Sequence, residues 1–384
     1  MHPSKRSRRR GGIREGFWNK VRPYNLRDRN LQRGRGVDPE GKKTYTRVFI
    51  KMLATNSSKV SIPKPFINEL YLMKTVIRDM FTKARSPHFA FPIGQFYGVF
   101  PKGDIREVES YLTEHPSRGC EHRPGELGLY NVSEYLDPGM FVSFRDYIRF
   151  EDFGDDQLVE FMKMTMVQIM YNLSVMGNMK FRHGDLHLEN VLIADLGPGR
   201  NNVISYSLDD QSHVETNSRY FVVFIDFDRS SIYTDKYSTL VPSEEEFKKF
   251  ICIPPSLVES QAPDGLIEAC HGWNPHADWT RFVVAVVHTL MRHRGLERMN
   301  RVMSSVFGEE IMTDINLIIG DYQSYRFGRV SKRHLEETVD NLVLQRCTPS
   351  SLTKRLLNHL SGESWLKTPS REEINHEYPH FKAY

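Results

Sequence analysis

The sequence is poor in cysteine and in long apolar runs, and both shortages narrow what it can be. Four cysteines, Cys120, Cys252, Cys270 and Cys347, are scattered through 384 residues with no CxxC pair. That spacing offers neither a disulfide framework nor a zinc module, and it suits a reducing compartment. No uninterrupted apolar stretch approaches the roughly twenty residues that a spanning helix needs, so no membrane span is expected. The first ten residues, MHPSKRSRRR, carry no apolar segment of the kind a secretory signal requires. There is no internal repeat.

What is present is enough apolar material for a core: 39% hydrophobic residues, of which the aromatics alone make 11% of the chain. The mean hydropathy of −0.49 is that of a soluble protein. The net charge of +4 is small but unevenly spread, because twelve lysines and arginines from Lys5 to Arg35 crowd the first 36 residues. A segment so charged and so poor in apolar residues is expected to be a disordered tail, residues 1–36. Its basic character would suit contact with nucleic acid or an anionic surface, or nuclear import.

Beyond the tail, the β-branched and aromatic run from Thr44 to Leu53 follows the turn-like Asp38-Pro-Glu-Gly41 and predicts a hairpin arm. Apolar residues at helical spacing predict a helix over 66–80. A strand or a pair of strands is expected over 89–99 and another strand over 129–135, with a polar insertion between them. The strongest helix is predicted from Asp156, where Leu158, Phe161, Met162, Thr165, Met166, Ile169, Leu173 and Met176 form one stripe that Gly177 ends. Residues 195–219 read as a polar loop between two apolar runs, as in a hairpin. Ser243 and the three glutamates after it predict a helix start. The apolar run Phe282–Met291 predicts a buried helix, and the last twenty residues read as a tail.

Two short segments carry the chemistry. His183-Gly-Asp-Leu-His-Leu-Glu-Asn190 places an acid, Asp185, five residues before an amide, Asn190, with an apolar run after it. About thirty-five residues later, Val222-Val-Phe-Ile-Asp226-Phe-Asp228 is a second apolar run ending in acids. Phosphoryl transfer from ATP needs such a group: one carboxylate to orient the attacking hydroxyl, and an amide with a second carboxylate to hold Mg²⁺.

On these motifs the chain, from about residue 40 to 295, resembles the protein-kinase superfamily, in a divergent form similar to the serine/threonine kinases of large DNA viruses. The wording HGDLHxxN with IDFD also resembles the aminoglycoside and choline kinase branch. The resemblance implies an α+β, two-lobed protein-kinase-like fold. Its small β-rich N-lobe would span residues 37–137 and its larger helical C-lobe residues 138–362, followed by a C-terminal tail, 363–384. It implies ATP and Mg²⁺ as cofactors, a protein substrate, and a cytoplasmic or nuclear site of action in a host cell or virion.

By the same resemblance Asp185 is the catalytic carboxylate, and Asn190 and Asp226 are the Mg²⁺ ligands. Lys51, in Val48-Phe-Ile-Lys51, would contact the α- and β-phosphates and pair with Glu69, eighteen residues on. Glu134 and Leu136 would be the hinge that meets adenine. Gly34 and Gly36, in Arg33-Gly-Arg-Gly36, are the candidates for the phosphate-covering loop, although they do not make GxGxxG. Asp278, in Asn274-Pro-His-Ala-Asp278-Trp, would accept backbone N–H bonds and hold the catalytic loop. Three departures stand out. Gly184 replaces the arginine of HRD, which implies no need for activation-loop phosphorylation. Asp228 replaces the glycine of DFG, and Phe49 stands where alanine usually lines the adenine pocket.

The expected activity is therefore an ATP- and Mg²⁺-dependent transfer to a protein serine or threonine. A small-molecule phosphotransferase is the alternative favoured by HGDLH and IDFD. A pseudokinase scaffold would be favoured by the poor glycine loop and Phe49, and a basic-tailed nucleic-acid binder is the remaining class.

Overall fold

In a computed structural model, residues 36–37, 43–44, 48–54, 69, 71–99, 127–134, 136–150, 153–197, 203–227, 229–232, 277–326, 348–370, 373 and 380–383 are described. They make a mixed α+β fold of long helices and several small sheets. The expected basic tail to residue 35, the insertion over 100–126, and the stretch 233–276 with its predicted helix at Ser243 all lie outside the described residues.

The two-residue strands β1 (Gly36–Val37) and β2 (Lys43–Thr44) pair antiparallel. The predicted hairpin arm continues as β3 (Val48–Ala54). Residues 71–82 are helical, with a π-helical turn over Met73–Ile77 running into α1 (Arg78–Thr82). Its apolar side, Leu72, Met73, Val76, Ile77 and Met80, is buried. The strands expected next are β4 (Pro92–Val99) and β5 (Leu127–Glu134), and β5 lies between β3 and β4 in an antiparallel sheet. The register sets Lys51 opposite Asn131 and Phe49 opposite Ser133.

After β5 come β6 (Phe141–Ser143), α2 (Phe144–Phe150) and α3 (Asp155–Asn178). Two acids in the first turn of α3, Asp155 and Asp156, suit the positive end of its dipole. The predicted stripe is buried, and so is almost every other residue from Phe161 to Met176, because α3 is covered on several sides. Phe161 sits among Phe144, Tyr147, Phe153 and Tyr220, stacked on Tyr147 at 4.6 Å between ring centroids. Burying a side chain of this size contributes about 1.5–3 kcal/mol. The polar members of α3 are satisfied inside: Gln168 donates to the Tyr220 carbonyl at 2.7 Å and accepts from the Val222 N–H at 3.1 Å.

The chain then forms β7 (Phe181–Arg182), β8 (Val191–Asp195), β9 (Val203–Ser207), β10 (His213–Asn217), β11 (Tyr220–Phe224) and β12 (Ser231–Ile232). As predicted, the two apolar runs pair as a hairpin, with Val191 opposite Phe224 and Asp195 opposite Tyr220. The segment between them is not simply a polar loop: it contains the β9–β10 hairpin. Ser205 and Ser207 are fully buried there. They hydrogen-bond His380 and His213, so these polar strands bury their side chains in pairs.

Three helices complete the described fold: α4 (Ala277–Arg294), α5 (Leu296–Arg326) and α6 (Pro349–His359). The predicted buried helix over Phe282–Met291 lies within α4. α5 bends at Gly308, whose φ is +70°. The Thr348 hydroxyl caps α6 by accepting the Ser351 N–H at 3.1 Å. Residues near the C-terminus, read from sequence as tail, supply β13 (Leu366–Lys367) and β14 (His380–Lys382). These flank the β9–β10 hairpin in the order β13-β10-β9-β14, with β14 parallel to β9. Among the described residues, no helix is long and apolar enough to cross a membrane.

Candidate functional site

The loop between β7 and β8 is built by bonds that reach it from three other segments. Asp278, at the start of α4 and buried, accepts the His183 N–H on Oδ2 at 2.6 Å and the Gly184 N–H on Oδ1 at 2.9 Å. The Ser230 hydroxyl donates to the His183 carbonyl at 2.8 Å. The His183 ring donates from Nε2 to the Ile225 carbonyl at 2.9 Å.

Ile225 is clamped twice, because its own N–H donates to the Asn190 carbonyl at 3.0 Å. The residue before Asp226 is thus tied to both ends of the loop that carries Asp185 and Asn190. The Asn190 amide Nδ2 donates to the Asp185 carbonyl at 2.9 Å, closing the loop on itself. These bonds, with the β8–β11 register, bring Asp185, Asn190 and Asp226 to one end of the hairpin.

Two backbone conformations there are unusual. Gly184 has φ +76°, and a Cβ on it would stand 2.1 Å from the Arg229 carbonyl oxygen. Only glycine fits here. Asp226 has φ +66°. This left-handed region is tolerated by Asp and Asn but costs most residues about 1 kcal/mol or more.

Asp185 is partly covered, with two arginines and a histidine around it. Arg281 reaches it from α4, with Nη2 on Oδ1 at 2.7 Å, while Nη1 donates to the Gly184 carbonyl at 3.0 Å. Arg229 Nε and His187 Nε2 each stand 3.8 Å from Oδ2. Burial pushes the His187 imidazole below the usual histidine range, with the Asp185 charge opposing that shift. On the rim, Glu189 pairs with Arg145. Neither Arg281 nor Arg229 stood out in the sequence: an arginine inside an apolar helix reads as a cation extending to solvent.

The donor set suits Mg²⁺. The amide nitrogen of Asn190 donates to a carbonyl, so Oδ1 is the oxygen it could give a cation, and Asp226 is the second residue that could hold one. Nucleotide-bound Mg²⁺ takes only one or two protein oxygens and fills its remaining positions from phosphate and water. Among the described residues no group of three or more His, Cys, Asp and Glu is arranged around a single point for a metal.

The residues expected from sequence to meet a nucleotide are described less fully. The backbone of Lys51 lies in β3, and its side chain is outside the described residues. Glu69 is 4% exposed. Glu134 ends β5, its N–H donating to the Phe91 carbonyl and its Oε1 accepting the Phe91 N–H at 2.8 Å. Leu136 follows it, half-buried against the core. Gly36 pairs with Thr44, while Gly34, Asp228 and the Phe49 side chain lie outside the described residues. Comparison with known proteins finds no family model that matches this chain and no curated protein that aligns with it significantly.

Proposed function

We propose that the protein is an ATP- and Mg²⁺-dependent phosphotransferase of protein-kinase-like, two-lobed architecture, acting on a serine or threonine hydroxyl of a protein. The observation that carries this reading is the clamping of Ile225 between His183 and Asn190. Through it, one acid on a loop, one amide on the same loop and one acid after a strand share a single end of the β8–β11 hairpin.

In this reading Asp185 takes the proton of the acceptor hydroxyl as its oxygen forms a bond to the γ-phosphorus. The bond from that phosphorus to the β-phosphate oxygen breaks, and ADP leaves. Asn190 and Asp226 would hold Mg²⁺, which when bound neutralises phosphate charge. Two fixed ligands and a fixed acid suit a reaction in which positioning and electrostatics supply most of the catalysis.

In this reading the buried Glu69 pairs with a cation. We assign that cation as Lys51, with Glu134 and Leu136 as the hinge and Gly34 and Gly36 before β3 as the phosphate cover. Such an enzyme works where ATP is supplied, in cytoplasm or nucleus. The histidine at position 187, with the IDFD wording, favours a second reading in which the acceptor is a small alcohol or amino sugar.

The test is a phosphoacceptor screen with labelled Mg²⁺-ATP, offering a generic basic protein alongside small alcohols and aminoglycosides. Labelled phosphoserine or phosphothreonine supports the first reading, and label only on small molecules supports the second. No transfer to any acceptor overturns both.

A further inference from the structure

We infer that Arg281 is the positioning residue for Asp185, fastening the carboxylate from the helix beneath the loop; this inference rests on the phosphotransferase reading. Asp278 and Arg281 are three residues apart on α4, so their side chains leave the same helical face one turn apart. Between them they hold four groups of the loop in sequence: the N–H of His183, the N–H and the carbonyl of Gly184, and the carboxylate of Asp185. The guanidinium is planar, with donors in a fixed fork, so one group spans a carbonyl and a carboxylate without free rotation between them.

The division of labour between the two carboxylate oxygens follows from the distances. Oδ1 accepts a charge-assisted bond from Arg281 at 2.7 Å. Oδ2 has Arg229 and His187 only at 3.8 Å, beyond hydrogen-bond range, and so keeps lone pairs for an acceptor hydroxyl. Gly184 contributes by lacking a side chain, because the Arg229 backbone fills the space where one would start. The aim of Asp185 is therefore set by α4, which forms part of the core through Trp279, Phe282 and Val286.

An alternative role for the same contact is a latch that must open before turnover, and the two roles predict opposite effects. The experiment compares wild type, R281Q, R281K and R281A by kcat, KM for ATP and melting temperature, with millimolar guanidinium added to R281A. Positioning predicts that R281Q lowers kcat by about 10-fold or more with KM for ATP changed by about twofold at most. It also predicts that R281K retains more activity than R281Q and that guanidinium restores part of the R281A activity. A rise in kcat on removing Arg281 shows a latch and overturns the inference. So do an unchanged kcat, or a loss that tracks the melting temperature and is not relieved by guanidinium. A wild type that transfers phosphate to nothing sinks the phosphotransferase reading itself, and the inference with it; activity in wild type with R281Q at par sinks the inference alone.

Discussion

Asp278 Oδ2 stands 2.6 Å from the backbone nitrogen of His183, ninety-five residues earlier in the chain. Its other oxygen holds Gly184. Neither N–H is paired within a strand or helix ladder, so this buried carboxylate is what satisfies both. Asp278→Ala leaves two loop donors unmet, each costing about 1–3 kcal/mol. The expected result is a loss of roughly 3 kcal/mol in denaturant unfolding, with Asp278→Asn, which keeps one acceptor oxygen, losing less. Equal stability of the two variants and wild type would remove Asp278 from this role.

Gly184 should tolerate no side chain. Its φ of +76° and the 2.1 Å approach to the Arg229 carbonyl mean that Gly184→Ala must shift backbone, not merely a flexible side chain. The left-handed conformation alone costs alanine about 1–2 kcal/mol. Thermal unfolding should show a destabilisation larger than that, together with reduced phosphate transfer. A G184A protein as stable as wild type would mean the loop has room that the backbone geometry denies.

Asp226 should show stability and function pulling apart. Asparagine adopts the left-handed conformation as readily as aspartate, and glycine does so without strain. Asp226→Asn and Asp226→Gly are therefore expected to fold without added backbone strain while losing Mg²⁺-dependent transfer. Isothermal titration with Mg²⁺-ATP supplies the second readout. Undiminished Mg²⁺ dependence in D226N would take the carboxylate out of the metal site.

Stability should fall on mild acidification because of His88. This fully buried ring donates from Nδ1 to the Val222 carbonyl and accepts at Nε2 from the Tyr206 hydroxyl, a neutral arrangement. Burial lowers its pKa from 6.5 to about 4. As pH drops below 6.5 the unfolded chain takes up a proton that the folded chain refuses, so stability is lost between pH 6.5 and about 4. A shift of this size corresponds to roughly 3 kcal/mol at its full extent. Urea midpoints at pH 7.5, 6 and 4.5 should decline less steeply in His88→Gln than in wild type. Parallel declines would show that other groups control acid unfolding.

The elements that follow a strong apolar rhythm were legible in the sequence: α3 and α4 from their runs, and β8 and β11 as a hairpin from theirs. Asp185, Asn190 and Asp226 could be singled out as candidates because their spacing is local to two short segments. What escaped has physical causes. β9 and β10 bury serines and a histidine that are satisfied by one another and by His380 of β14, so their composition reads as loop. β13 and β14 are two and three residues long, too short for any period to show. The π-helical turn at Met73–Ile77 has the same apolar spacing as an α-helix would. Arg281 meets Asp185 only through the packing of α4 under the loop, a contact across ninety-six positions that no local pattern encodes. The reason for Gly184 likewise lies in Arg229, across the fold.

The account stands or falls on Asp185 as the group that takes the acceptor proton. The most direct measurement is phosphate transfer from labelled Mg²⁺-ATP by wild type and by Asp185→Asn, with nucleotide affinity measured on both proteins. A positioned general base contributes about 10²–10⁴-fold, so D185N is expected to lose transfer by that order while binding Mg²⁺-ATP within a few-fold of wild type. Equal labelling by the two proteins would contradict it.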